Sequence, residues 1–177
     1  VQGHYPDALV VHRLDMATSG LMLLARNRAV QRTLSLAFAA RDVHKRYEAI
    51  VQGKPNLPQL AEDGWGMIDL PIALDWPRRP LRIIDIAAGK PSQTRWRTVL
   101  MDAVAGSSRV ELEPVTGRSH QLRVHLQALG HPIWGDALYA PAGLVAAAPR
   151  LLLHACTLQL VHPVSHAALH FESPPDF

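Results

Sequence analysis

Gly, Pro, Asn and Asp cut most of this chain into short segments rich in β-branched and aromatic residues, and only two stretches carry helical spacing. A chain divided in this way has to pair its strands mostly with near neighbours, because each parallel crossover needs a helix between successive strands. The short segments are Ala8 to His12, Gly20 to Ala25, His44 to Val51, Met67 to Leu74, Arg82 to Ala87, Thr94 to Leu100, Arg109 to Glu113, Leu151 to Val161 and Ala167 to Glu172. The turn AGSS predicts a hairpin of Thr94 to Leu100 with Arg109 to Glu113, WPRRP separates another two strands, and the last two segments form a terminal pair. Gly20 to Ala25 (GLMLLA) is apolar in the manner of a strand buried on both faces. Gly53 to Gly64, with its prolines, reads as loop.

The first helical stretch, Arg28 to Ala40, places Val30, Leu34, Ala37 and Phe38 on one stripe, with Gln31, Arg32 and Ser35 off it and Asn27 at the N-cap. The second begins at Ser119 as its expected cap and runs through Leu122, Leu126 and Leu129 to a terminal Gly130. Two helices among runs of strands predict one domain over residues 1–177, of α+β class, with a mixed, mainly antiparallel sheet. No glycine-rich phosphate loop follows a strand, so nucleotide-cofactor folds are disfavoured.

With 48% hydrophobic residues the chain can bury a core, and no apolar run approaches the ~18 residues that span a bilayer. No secretory signal is visible, and the single Cys156 cannot form an internal disulfide. The expectation is a cytoplasmic monomer with no membrane partner. Lys and Arg number 18 against 15 Asp and Glu, and Arg heavily outnumbers Lys. Guanidinium groups bind phosphate in a planar, two-pronged way, so the balance points mildly to a phosphate-bearing partner.

The stretch VVHRLDMATSG, Val10 to Gly20, sets charges and hydroxyls between two strand-like runs. Asp, Thr, Ser and Gly suit an ordinary turn. The opposite charges of Arg13 and Asp15 do not, and flanking strands would hold the loop rigidly, as a catalytic loop requires. HRLDMATSG resembles the catalytic loop of the RluA family of RNA pseudouridine synthases. The likeness continues in order through KRYEAIVQG, GKPSQT, TGRSHQLRVHLQALGHPIWGD and LLLHACTL, and covers nearly the whole chain. LPIALDWPRRP further resembles the branch that modifies both tRNA and 23S ribosomal RNA.

The resemblance implies a pseudouridine synthase catalytic domain, an isomerase that needs no cofactor and no metal and whose partner is an RNA stem-loop. It implies Asp15 as the catalytic residue, acting as nucleophile or base. Arg118 of the TGR turn is then its paired cation, needed because burial would otherwise raise the pKa of the carboxyl. Tyr47 would lie against the target base and help remove the C5 proton, and Leu122 would form the apolar wall of the pocket. Arg13 would fill the gap left by a flipped nucleotide. Arg123 and Lys90 read as phosphate contacts, and Arg78, Arg79 and Arg82 beside Trp76 as a cluster that grips RNA. Two observations bear on rival readings of the residues. Pro163 opposes a helix through His162 and His166, and no HExxH or G-x-S-x-G pattern occurs, so zinc and hydrolase sites have little support. A non-catalytic RNA-binding module or chaperone on the same fold is the alternative from another class; binding alone would not need Asp15. The chain starts at Val1, just ahead of the loop, so the strand that precedes it in relatives is expected to be missing and the sheet to have an edge there.

Overall fold

The computed structural model describes residues 3–55 and 63–177. Most of the loop expected between Gly53 and Gly64 lies outside the described residues. The strands are β1 (Leu9–Val10), β2 (Ser19–Gly20), β3 (Leu24–Ala25), β4 (His44–Gln52), β5 (Gly66–Asp69), β6 (Ile72–Leu74), β7 (Arg82–Ile84), β8 (Gln93–Asp102), β9 (Ser107–Pro114), β10 (Leu153–Val161) and β11 (Ala168–Glu172). Three helices join them: α1 (Arg28–Ala40), α2 (Gln121–Ala128) and the short α3 (Ala142–Ala146).

The main sheet runs β11-β10-β4-β9-β8-β5 with every neighbour antiparallel, and β2 adds to β10 in parallel. It is therefore mixed and mainly antiparallel. Side chains alternate across a strand, so Ala49, Val51, Trp96, Val110 and Leu112 share one face, which α2 covers with Leu122 and Leu126. The opposite face carries ion pairs instead: Arg46 and Arg95 on Glu113, Arg97 on Glu111, and Arg109 on Glu48. One apolar and one solvated face is the usual economy of an antiparallel sheet.

Helix α1 starts where expected. The Asn27 side chain accepts the Val30 N–H at 2.9 Å, the N-cap bond that satisfies one orphan donor. It ends as Arg41 turns left-handed at φ 68° and the Asp42 N–H returns to the Ala37 carbonyl. Its Leu34 packs with Ala25, Val43, Leu158 and Leu160 in a second core.

Three local expectations are corrected. Met67 to Leu74 is not one strand: Pro71 has no N–H to give a ladder, so β5 stays on β8 while β6 leaves to form a separate ribbon with β7. Gly20 to Ala25 is not buried on both faces, since Met22 is 43% exposed and the segment divides its pairing, Ser19–Gly20 on β10 and Leu24–Ala25 on β1. Ser119 does not cap α2. The cap position belongs to His120, left-handed at φ 58° and without a side-chain cap bond, and the turn is held from within the helix by Gln121, whose Oε1 accepts the Arg118 N–H at 3.0 Å and the Thr116 hydroxyl at 2.7 Å.

Candidate active site

The loop between β1 and β2 is pinned at its exit. The Ser19 hydroxyl is hydrogen-bonded to His154 Nδ1 at 2.8 Å and accepts from Arg150 at 3.1 Å, and the Leu21 N–H reaches the Ala155 carbonyl. Gly20, at φ 105°, lies so close to β10 that a Cβ would sit 2.4 Å from the Ala155 oxygen. Only glycine permits that approach. Within the loop the Thr18 N–H closes a turn onto the Asp15 carbonyl at 2.9 Å.

This holds Asp15 at one wall of a cleft of about 370 Å³, lined also by Arg13, Tyr47, Arg118, Leu122 and Leu153. Residues far apart in sequence thus converge. The cation beside Asp15 is not the expected one. Among the described residues the guanidinium within 4 Å is that of Arg123, with Nη1 3.7 Å from Asp15 Oδ2. Arg118 instead donates from Nε to the Pro91 carbonyl at 3.4 Å and is exposed at the rim. Arg123 is likewise no surface phosphate contact, being only 5% exposed. The sequence could not rank the two: TGR lies on a turn and QLR on a helix, and only packing decides which guanidinium turns inward.

Arg123 is aimed by a residue that sequence reasoning passed over. Asp136, fully buried, takes Arg123 Nε at 2.8 Å and Nη2 at 2.6 Å, and accepts the N–H groups of Leu138 and Tyr139. That bidentate grip leaves the remaining nitrogen, Nη1, directed at Asp15. The Tyr139 ring lies 5.0 Å from the guanidinium, and its hydroxyl is hydrogen-bonded to His120 Nδ1 at 2.6 Å and accepts the Arg82 N–H at 2.9 Å. Asp136 closes the quoted block HPIWGD, which was the available signal.

Tyr47 reaches the cleft from β4, between Leu112 and Ala155 on the neighbouring strands. Burial, and then the Asp15 charge, pushes its phenol up to about 12. It therefore carries its proton at neutral pH. Leu122 is buried against the core, and Arg13 is exposed on the loop.

His12 lies under the same cleft, stacked 4.3 Å from the Phe38 ring, with Nε2 accepting the Leu23 N–H at 2.9 Å. A ring nitrogen that accepts carries no proton, and burial followed by the Lys45 charge pushes the pKa of His12 down to about 4. An unfolded His titrates near ~6.5. Between those values the unfolded chain binds the extra proton, so this contribution is complete above about pH 6.5 and is lost as pH falls to about 4. Because the ring is partly solvated, screening reduces the expected loss to about 2 kcal/mol. Denaturant midpoints should fall between neutral and acid pH in the native chain and fall less in His12→Gln, which can accept the same N–H without titrating. Parallel pH profiles would rule this out.

The remaining expected contacts lie outside the cleft. Lys90 bridges to Ile72 through its backbone and leaves its side chain exposed. In the DWPRRP turn, Arg78 pairs with Asp75 at 2.7 Å, whereas Arg79 stacks 4.0 Å over the exposed Trp76. Arg82 is half-buried, with Nη1 enclosed and lacking a partner among the described residues. The three arginines are thus not one equivalent surface: Arg79 with Trp76 is its free part. Two further histidines are tied into the fold: His125 bonds Thr94 and the Leu70 carbonyl, and His154 bonds Ser19 and Ser173. Among the described residues, no helix is long and apolar enough to cross a membrane.

A family model for RNA pseudouridylate synthases matches residues 2–128. The chain is 46% identical over 177 residues to the dual-specificity RNA pseudouridine synthase RluA of Escherichia coli K12, covering all of this chain and 78% of that protein. The RluA of Yersinia pestis is also 46% identical, with 82% of it covered. The solved structure of human RNA pseudouridylate synthase domain containing 1 superposes with a TM-score of 0.82 at 31% identity, over 99% of this chain and 72% of that one.

Proposed function

The chain belongs to the RNA pseudouridylate synthase family and is an isomerase of RNA uridine; we propose that its substrates are stem-loops of tRNA and 23S ribosomal RNA and that Asp15 is its catalytic carboxylate. The observation that carries the assignment is the Asp15 carboxylate on a pinned loop, facing Arg123 in a cleft shared with Tyr47 and Leu122. The reaction breaks the N1–C1′ bond, turns the uracil and forms C5–C1′. One proton leaves C5 and one arrives at N1, so nothing is oxidised and no group is added. An ionised carboxylate beside the ribose serves as nucleophile or as base, and Arg123 offsets the cost of keeping that charge in a partly enclosed site.

Tyr47, held as a neutral phenol, supports packing against the base rather than removal of the C5 proton as a phenolate. Leu122 walls the base on the other side, and Arg13 fills the stack that the base leaves. Extracting a base costs a few kcal/mol and least where it is unpaired, which is why loops are the expected targets. Arg118, Lys90, Arg78 and Arg79 supply cations for the surrounding backbone, Arg79 being the least encumbered of the turn. The dual-specificity name of the 46%-identical relatives supports both RNA classes. Pseudouridine mapping of total RNA from cells with and without the protein tests the reading. Sites lost from both tRNA and rRNA are expected, and losses confined to one class would overturn dual specificity.

A further inference from the structure

A second groove opens on the ion-paired face of the sheet, opposite the face that packs under α2, and it meets the catalytic cleft at the sheet's end. Its cavity is about 450 Å³. Strand register builds its floor: Arg46 stands opposite both Glu113's row and Thr157, His44 opposite Gln159, and β11 continues the two rows with Glu172 and His170. Arg41, Lys45, Pro114 and Val115 line both cavities. A ligand leaving the cleft over these residues enters the groove without crossing an acidic barrier.

Charge favours an anion there. Arg41, Lys45, Arg46 and Arg95 line it together with Glu113 and Glu172. Arg95 is also tied to Asp63 at 2.8 Å and Arg46 lies 4.0 Å from Glu111, so the uncompensated charge is that of Arg41 and Lys45. Glu113 is shared by Arg46 at 3.0 Å and Arg95 at 2.7 Å, and Glu172 lies 3.0 Å from His170. Arg41 and Lys45 have no acidic partner within 4 Å among the described residues. Exposed His44 and Gln159 add hydrogen-bond donors along the same rows. A phosphodiester backbone presents acceptors with spread negative charge, which such a surface fits, and it carries no base-specific demand.

We propose that this groove binds the sugar-phosphate backbone of the stem of the substrate RNA, so that RNA whose loop is in the cleft continues over the sheet end onto the opposite face. The proposal rests on the stem-loop substrate. It differs from that reading because it assigns stem length, not the target uridine, to the groove. The probes are two RNAs with one target loop, one on a long stem and the other on the shortest stem that closes it. Dissociation constants are measured across salt for the native chain, His44→Ala/Gln159→Ala/His170→Ala and Glu113→Gln, with product formation followed in parallel.

The native chain should prefer the long RNA. The triple variant should reduce that preference about tenfold while leaving the salt slope for the long RNA nearly unchanged, because it removes hydrogen-bond donors and no Lys or Arg. Glu113→Gln, which removes the carboxylate shared by Arg46 and Arg95 and leaves Arg95 on Asp63, should raise the preference. Equal losses on both RNAs, or an unchanged preference in both variants, overturns the groove even when both RNAs are converted. Failure of the native chain to convert either RNA overturns the substrate reading and the groove with it.

Discussion

Asp15→Asn should abolish pseudouridine formation while leaving RNA affinity equal or higher. The amide keeps the size and shape of the carboxylate on a loop fixed by Ser19, Gly20 and the turn to Thr18. It removes the charge that a nucleophile or a base must carry. RNA binding rests on cations and base contacts, so deleting a negative charge near Arg123 strengthens the attraction for phosphate. Product is read by nuclease digestion and chromatographic separation of the mass-neutral isomer, and affinity by filter binding at fixed salt. Unchanged turnover would remove Asp15 as the catalyst. A native chain that binds stem-loops and converts none would instead favour the binding module.

Local features of the fold were legible in the sequence because they follow from neighbours in the chain. The stripe Val30, Leu34, Ala37 and Phe38 and the cap Asn27 define α1 at its observed bounds, Arg28–Ala40. The hairpin of β8 and β9 forms between the two alternating runs as expected, with its turn two residues earlier than AGSS because Ser107 and Ser108 already pair with Asp102 and Met101. What failed depended on tertiary competition. Pro71 reads as tolerable at a strand's interior until the ladder demands its N–H, and then the strand divides between two sheets. Gln121 is a polar residue just ahead of the stripe Leu122, Leu126 and Leu129, yet it is buried and organises the TGR turn through Thr116, Arg118, Gln93 and Thr94. The site shows the same division. Motif blocks brought Asp15, Tyr47, Arg118 and Leu122 to one cleft, whereas the choice of Arg123 over Arg118 as the cation near Asp15 depends on Asp136, at the far end of the block that holds both arginines. A guanidinium's partner is set by which carboxylate is buried beside it, and spacing along the chain does not encode that.

Asp136→Asn should destabilise the fold by about 3–5 kcal/mol, the cost of leaving one member of a buried ion pair uncompensated. Asparagine can still accept the Leu138 and Tyr139 N–H groups, so the loss measures chiefly the bond to Arg123. Arg123 then has Asp15 as its remaining carboxylate within 4 Å, and its guanidinium no longer has a fixed direction, so turnover should fall with stability. A second variant separates these effects. Arg123→Met/Asp136→Asn removes the buried charge together with its partner, and replacing a buried pair by neutral groups of similar volume is often close to neutral for stability. Denaturant unfolding should show the double variant recovering most of the lost stability. Turnover at saturating RNA should stay low, because Asp15 now lacks its cation. If activity returns along with stability, the Asp136–Arg123 pair only holds the fold together. If stability returns and activity does not, the pair aims a positive charge at Asp15 in the cleft.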